Sequence, residues 1–110
     1  MHEDDNTRLR HMLDAGKEAL AFSSGKTRKD LNTNRMLVHS LVRVIEIIGE
    51  AASKVSDDLK NNYKEIPWLD IVRMRNHLIH AYFDVDLDIL WDTVTKDLPQ
   101  LVTKIEKIIK

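Results

Sequence analysis

Apolar residues recur at three- and four-residue spacing along almost the whole chain, and only three Gly and two Pro interrupt them. That spacing is the period of an amphipathic helix, and no stretch shows the period-two alternation of a half-buried strand. An all-α fold is therefore expected. The first helix should run from about Asp5 to Phe22, with Leu9, Met12 or Leu13, Gly16 and Ala19 or Leu20 along its apolar stripe and Gly25 as its C-terminal cap. Asp30 is placed to cap a second helix reaching about Val55, the longest at about 25 residues, with Leu31, Leu37 or Val38, Leu41, Val44 or Ile45 and Ile48 on its core face. Ser56, followed by Asp57 and Asp58, caps a short helix to about Tyr63. Pro67 starts the next, Trp68 to about Phe83. Asp84 or Asp86 caps a last helix to Lys110, which Pro99 should kink or split, since proline lacks the amide the helical ladder needs. Together these elements predict a four-to-five-helix, mostly antiparallel bundle over residues 1–110 as a single domain.

Composition narrows the function classes. The chain has 110 residues, a formal net charge of -1 and no Cys, so a disulfide framework, a thiolate metal site and a thiol nucleophile are all excluded. Near-neutral charge argues against a broad cationic nucleic-acid surface, leaving any RNA or DNA contact local. Arg35 and Arg43 bracket the mostly apolar run from Met36 to Val42, so that run falls short of the ~20 residues of a membrane helix. The acidic start, Met1-His2-Glu3-Asp4-Asp5, lacks the basic head and apolar middle of a signal peptide. A cytoplasmic protein with no membrane partner is expected.

The densest polar constellation in an otherwise apolar helix is Arg73-Met74-Arg75-Asn76-His77-Leu78-Ile79-His80-Ala81-Tyr82. Asn76 and His80 share a face; Arg75 lies five residues before His80, about 7.5 Å along the axis and roughly 140° around it. A single copy thus presents Arg75 and His80 in divergent directions, whereas two copies crossing near a two-fold axis would bring two arginines and two histidines to one cleft. That set suits metal-free RNA cleavage. A group must take the 2′-hydroxyl proton, another must protonate the leaving 5′-oxygen, and a fixed cation must meet the charge on phosphorus. Histidine fills the first two roles near neutral pH and a guanidinium the third.

Arg75-Asn76-His77-Leu78-Ile79-His80-Ala81-Tyr82 resembles the R-N-x-x-x-H-x-Y signature of HEPN domains, specifically of HepT-like toxins paired with minimal nucleotidyltransferase antitoxins. The likeness extends to the flanks. Residues Val44 to Ala52 look like that family's second-helix segment, Ile66-Pro67-Trp68 precedes the signature, and Val85 to Trp91 with Asp97-Leu98-Pro99 follows it. The resemblance implies a homodimeric, metal-independent endoribonuclease toxin with no cofactor, cutting RNA in a cleft at the dimer interface. Arg75 would hold the scissile phosphate, His80 would act as acid or base, and Asn76 would orient the pair. Tyr82 would be the residue on which the antitoxin places adenylate. A second implied role is a non-catalytic HEPN module that docks a nucleotidyltransferase.

Other residues stand beside this set. Glu46 reads as solvated; Glu50, flanked by Gly49 and Ala51 where a second backbone can approach, is a supporting residue able to pair with Arg73 or Arg75. His77 and His80 are three apart, but without acidic or thiolate neighbours they are not assigned as a metal site; a structural dimer with a ligand there is a third reading. Lys26, Arg28, Lys29 and Arg35 form a basic cluster around the first interhelical turn, Trp68 and Trp91 read as core or interface anchors, and His11 and His39 as partly buried.

Overall fold

The starts of the helices after the first are marked by a side chain that accepts a free backbone amide or by a proline. The computed structural model describes residues 3–80 and 85–109. Helix α1 spans Glu3–Ser23, α2 Arg35–Ser53, α3 Asp57–Asn62, α4 Trp68–His80, α5 Leu87–Asp92 and α6 Leu98–Ile108. There is no strand among the described residues. The all-α antiparallel bundle expected from periodicity is what forms: α2 packs along α1 on one side and α4 on the other, and α6 closes against α1. Leu9, Met12, Leu41, Ile48, Leu90, Val94 and Ile105 are fully buried where these helices meet.

Several local expectations hold. The stripe of α1 is buried from Leu9 to Ala19, and Gly25 has φ 73°, the left-handed conformation that ends a helix. The Ser56 hydroxyl accepts from the Leu59 amide at the start of α3. Pro67 leads into α4, its carbonyl accepting the first helical bond from Ile71. Trp68 is buried, and its indole donates to the Tyr63 carbonyl at 3.0 Å. Trp91 packs against the core.

The second helix is shorter than expected. The Asp30 carboxylate accepts from the Thr27 amide at 2.7 Å, closing a capping box on a 3₁₀ turn, Arg28–Asn32, so α2 starts only at Arg35 with Asn34 accepting from the Leu37 amide. At 19 residues α2 yields first place in length to α1, with 21. From the basic cluster of this turn, Arg28 reaches Asp88 at 2.6 Å and ties the turn to α5.

The last helix is split, as Pro99 demands. Asp86 accepts from the amides of Asp88 and Ile89 to start α5. The ladder then widens into a π turn over Thr93–Asp97, with the Leu98 amide donating to Thr93, and α6 resumes with proline in its first turn. The widening takes up the register that the missing Pro99 amide would otherwise break.

Asp5 is a buried carboxylate inside α1, 3% exposed. It accepts from the Ser56 amide at 2.8 Å and from the Ser56 hydroxyl at 2.5 Å, locking the first helix to the start of α3. Asp5→Ala leaves the Ser56 amide without that acceptor and should lower unfolding stability by about 1–3 kcal/mol, read by urea denaturation. An unchanged midpoint would show that the lock carries no weight.

Candidate active site

The α2–α4 crossing builds the site, and Gly49 sets how close the two helices come. A Cβ at residue 49 would overlap the Cβ of Arg75 and lie 2.6 Å from its Cγ and 3.3 Å from the Ile71 carbonyl. With hydrogen there instead, the stem of Arg75 lies directly on α2. Its guanidinium is thereby delivered to the next residue along. Arg75 Nη2 donates to Glu50 Oε2 at 3.0 Å, and Arg75 Nη1 donates to Asn76 Oδ1 at 2.9 Å. Glu50 Oε1 lies 3.4 Å from Lys54 Nζ, one helical turn on.

Of the two pairings open to Glu50, the structure forms the one with Arg75. The hydrogen bond from Arg75 holds the Glu50 carboxyl below the usual glutamate range, with Lys54 adding to the effect. Glu50 is therefore a carboxylate at neutral pH, and Arg75 cannot lose its proton. The cluster can hold an anion but cannot shuttle a proton; that task needs an imidazole. Two of the five guanidinium N–H donors of Arg75 are committed to these bonds. Its Nε is buried without a hydrogen-bond partner among the described residues.

Arg75, Asn76 and Glu50 are thus brought together. The backbone of α4 is continuous through His80, so Asn76 and His80 share a helix face while Arg75 stands about 7.5 Å back along the axis. The side chain of His80 and the whole of Tyr82 lie outside the described residues. His77 is exposed, and so are His11 and His39, which the helical pattern alone places partly inside. His39 lies outside the core stripe of α2, and His11 borders the α1–α2 groove. Glu46 is more covered than a solvated residue, at 28% side-chain exposure beside Arg43. Sequence reasoning misses Lys54; its i,i+4 spacing from Glu50 is the available signal.

A family model described as ribonuclease HepT-like matches residues 12–108. The chain belongs to the HepT-like ribonuclease family. Among similar proteins, one of Methanocaldococcus jannaschii, named as a gamma-glutamylcyclotransferase and candidate RNase, is 36% identical over all 110 residues. The chain spans only 50% of the length of that protein. A candidate ribonuclease HepT of Thermococcus cleftensis is 44% identical over 82 residues, 74% of each chain. A further candidate RNase of Methanocaldococcus jannaschii is 31% identical over 98 residues, 89% of this chain and 90% of its own length. No solved structure matches. The family model includes both α2 and α4, so the Gly49, Glu50 and Arg75 cluster lies within the HepT-like region.

Two outcomes follow. Gly49→Ala should destabilise the protein by about 1–3 kcal/mol, because overpacking at the crossing outweighs the gain of about 1 kcal/mol that alanine brings to a helix interior. A stabilised variant would mean that the crossing is loose. A carboxyl-carbon NMR titration should place the Glu50 midpoint below the usual value of about 4.3, and Arg75→Ala should raise it. Because the folded-state value is depressed, whatever the pair contributes is present at neutral pH and lost as pH falls through that midpoint. A Glu50 midpoint indifferent to Arg75→Ala would contradict the pairing.

Proposed function

We propose that this protein is a metal-independent endoribonuclease that acts as a homodimer in the cytoplasm as the toxin of a toxin-antitoxin pair. The observation that supports it most is the Arg75 guanidinium, fixed by Glu50 and Asn76 at the α2–α4 crossing with donors to spare, within a HepT-like chain. A cation held this way meets the charge developing on a phosphorane without reorganising at the moment of reaction. The names of the relatives, RNase and ribonuclease, supply the substrate class.

In the cleft, the 2′-hydroxyl attacks the adjacent phosphorus while an imidazole takes its proton, and the 5′-oxygen leaves with a proton from the second imidazole. His80 of the two protomers provides both imidazoles, and Arg75 forks onto the non-bridging oxygens. Helix geometry separates Arg75 and His80 around one copy of α4, and a two-fold partner brings the second set. Tyr82, two residues beyond His80, is the site where a minimal nucleotidyltransferase antitoxin attaches adenylate. The added bulk and negative charge beside Arg75 would exclude an RNA phosphate.

Purified protein should cleave RNA in excess chelator, and Arg75→Ala and His80→Ala should each abolish cleavage while circular dichroism stays helical. Tyr82→Phe should retain cleavage and resist adenylylation by the partner enzyme. Cleavage that requires magnesium, or that survives both substitutions, contradicts the mechanism. A wild-type protein that binds its nucleotidyltransferase tightly and cuts RNA at no pH is a docking module instead.

A further inference from the structure

Beside Glu50, on the side away from α4, a groove of about 110 Å³ opens between α1 and α2. Arg8 and His11 of α1 line one wall, and Arg43 and Ile47 of α2, with Lys54 just past its end, the other. Arg43, Ile47, Glu50 and Lys54 recur at four, three and four residues, a single stripe along α2 and its C-terminal cap. A stripe bordering a packed neighbour is normally apolar. This one carries cations.

The charges do not cancel within the groove. Arg8, Arg43 and Lys54 face one carboxylate, Glu50, which is already bonded to Arg75. Arg43 has a loose contact with Glu46 at 3.7 Å. Arg8 Nε is buried with no hydrogen-bond partner among the described residues, the same deficit that Arg75 Nε shows across Glu50. Arg8 and Arg43 thus add two guanidiniums to a groove whose single carboxylate is already paired, leaving cationic charge for an anion from outside. The groove has the volume of roughly three or four waters, enough for a phosphate and too small for a partner helix.

We propose that this groove is a second phosphate subsite for single-stranded RNA, holding a backbone phosphate that neighbours the one bound by Arg75. The assignment rests on the ribonuclease reading for its ligand and extends it to a substrate path, from the α2–α4 crossing over Glu50 to the α1–α2 groove. Glu50 then has a double task. It holds Arg75 and Lys54 apart at fixed positions, and its negative charge keeps a phosphate from settling between them.

The test uses the full chain carrying His80→Ala, so that bound RNA is not consumed, and a short fluorescent single-stranded RNA read by anisotropy across a salt series. Arg43 and Lys54 have side chains 70% and 52% exposed, so Arg43→Gln with Lys54→Gln should fold normally, checked by circular dichroism. The expected result is a severalfold weaker affinity and a salt slope shallower by roughly 0.7 for each phosphate no longer neutralised. Arg43→Gln alone should give about half of that change in slope. In the chain with His80 intact, the double variant should raise KM for the RNA more than KM for a dinucleoside monophosphate, which has a single phosphate. Unchanged affinity and slope in a folded double variant overturn the inference. So does a loss of poly-glutamate binding with RNA binding intact, which would make the groove a protein-docking surface. Failure of the ribonuclease reading looks different: wild-type protein cuts nothing while the salt slope still falls in the variant, leaving the groove as an RNA site.

Discussion

The site depends on two helices touching at a residue without a side chain. At Gly49 the backbone of α2 meets the Cβ and Cγ of Arg75, and the guanidinium beyond them is carried to Glu50. A long, flexible arginine would normally lose considerable rotamer freedom to reach one geometry. Here its stem is confined by contact with α2, and its head is held at two points. The rest of the bundle serves that crossing: α1 supports α2 from behind, α6 closes on α1, and Asp5 ties the first helix to the cap of α3 just beyond the end of α2.

A division of labour follows from the electrostatics. Glu50, kept ionised by Arg75 and Lys54, is a holder rather than an acid, and Arg75 is a permanent cation. Neither group changes protonation near neutral pH. In the proposed mechanism proton transfer is left to the imidazole of the signature, because neither member of this pair exchanges a proton near neutral pH.

Much of this is legible in the chain itself. The 3.6-residue period identifies every long helix, Ser56 and Pro67 mark the starts of α3 and α4, and Gly49 beside Glu50 signals a close approach. What escapes are choices between two local partners. Asp30 looks like a helix cap in sequence, but its carboxylate reaches back to the Thr27 amide and closes a 3₁₀ turn, so Asn34 does the capping. Pro99 announces a break without saying that a π turn would absorb it. Asp5 with Ser56, and Arg8 with the α2 stripe, stand far apart in the chain and meet only through packing, which no periodicity encodes.

The central claim is that the His80 imidazoles of both protomers act with Arg75 on the same phosphodiester. Subunit mixing tests it directly: wild-type and His80→Ala chains are co-refolded in equal amounts and assayed on RNA. If the cleft is shared, the half of the dimers that are mixed lack one imidazole and only the wild-type quarter cuts, so activity should fall to about a quarter of that of the same total of wild-type chain. Activity of about half, with mixed dimers verified by mass, would contradict the account.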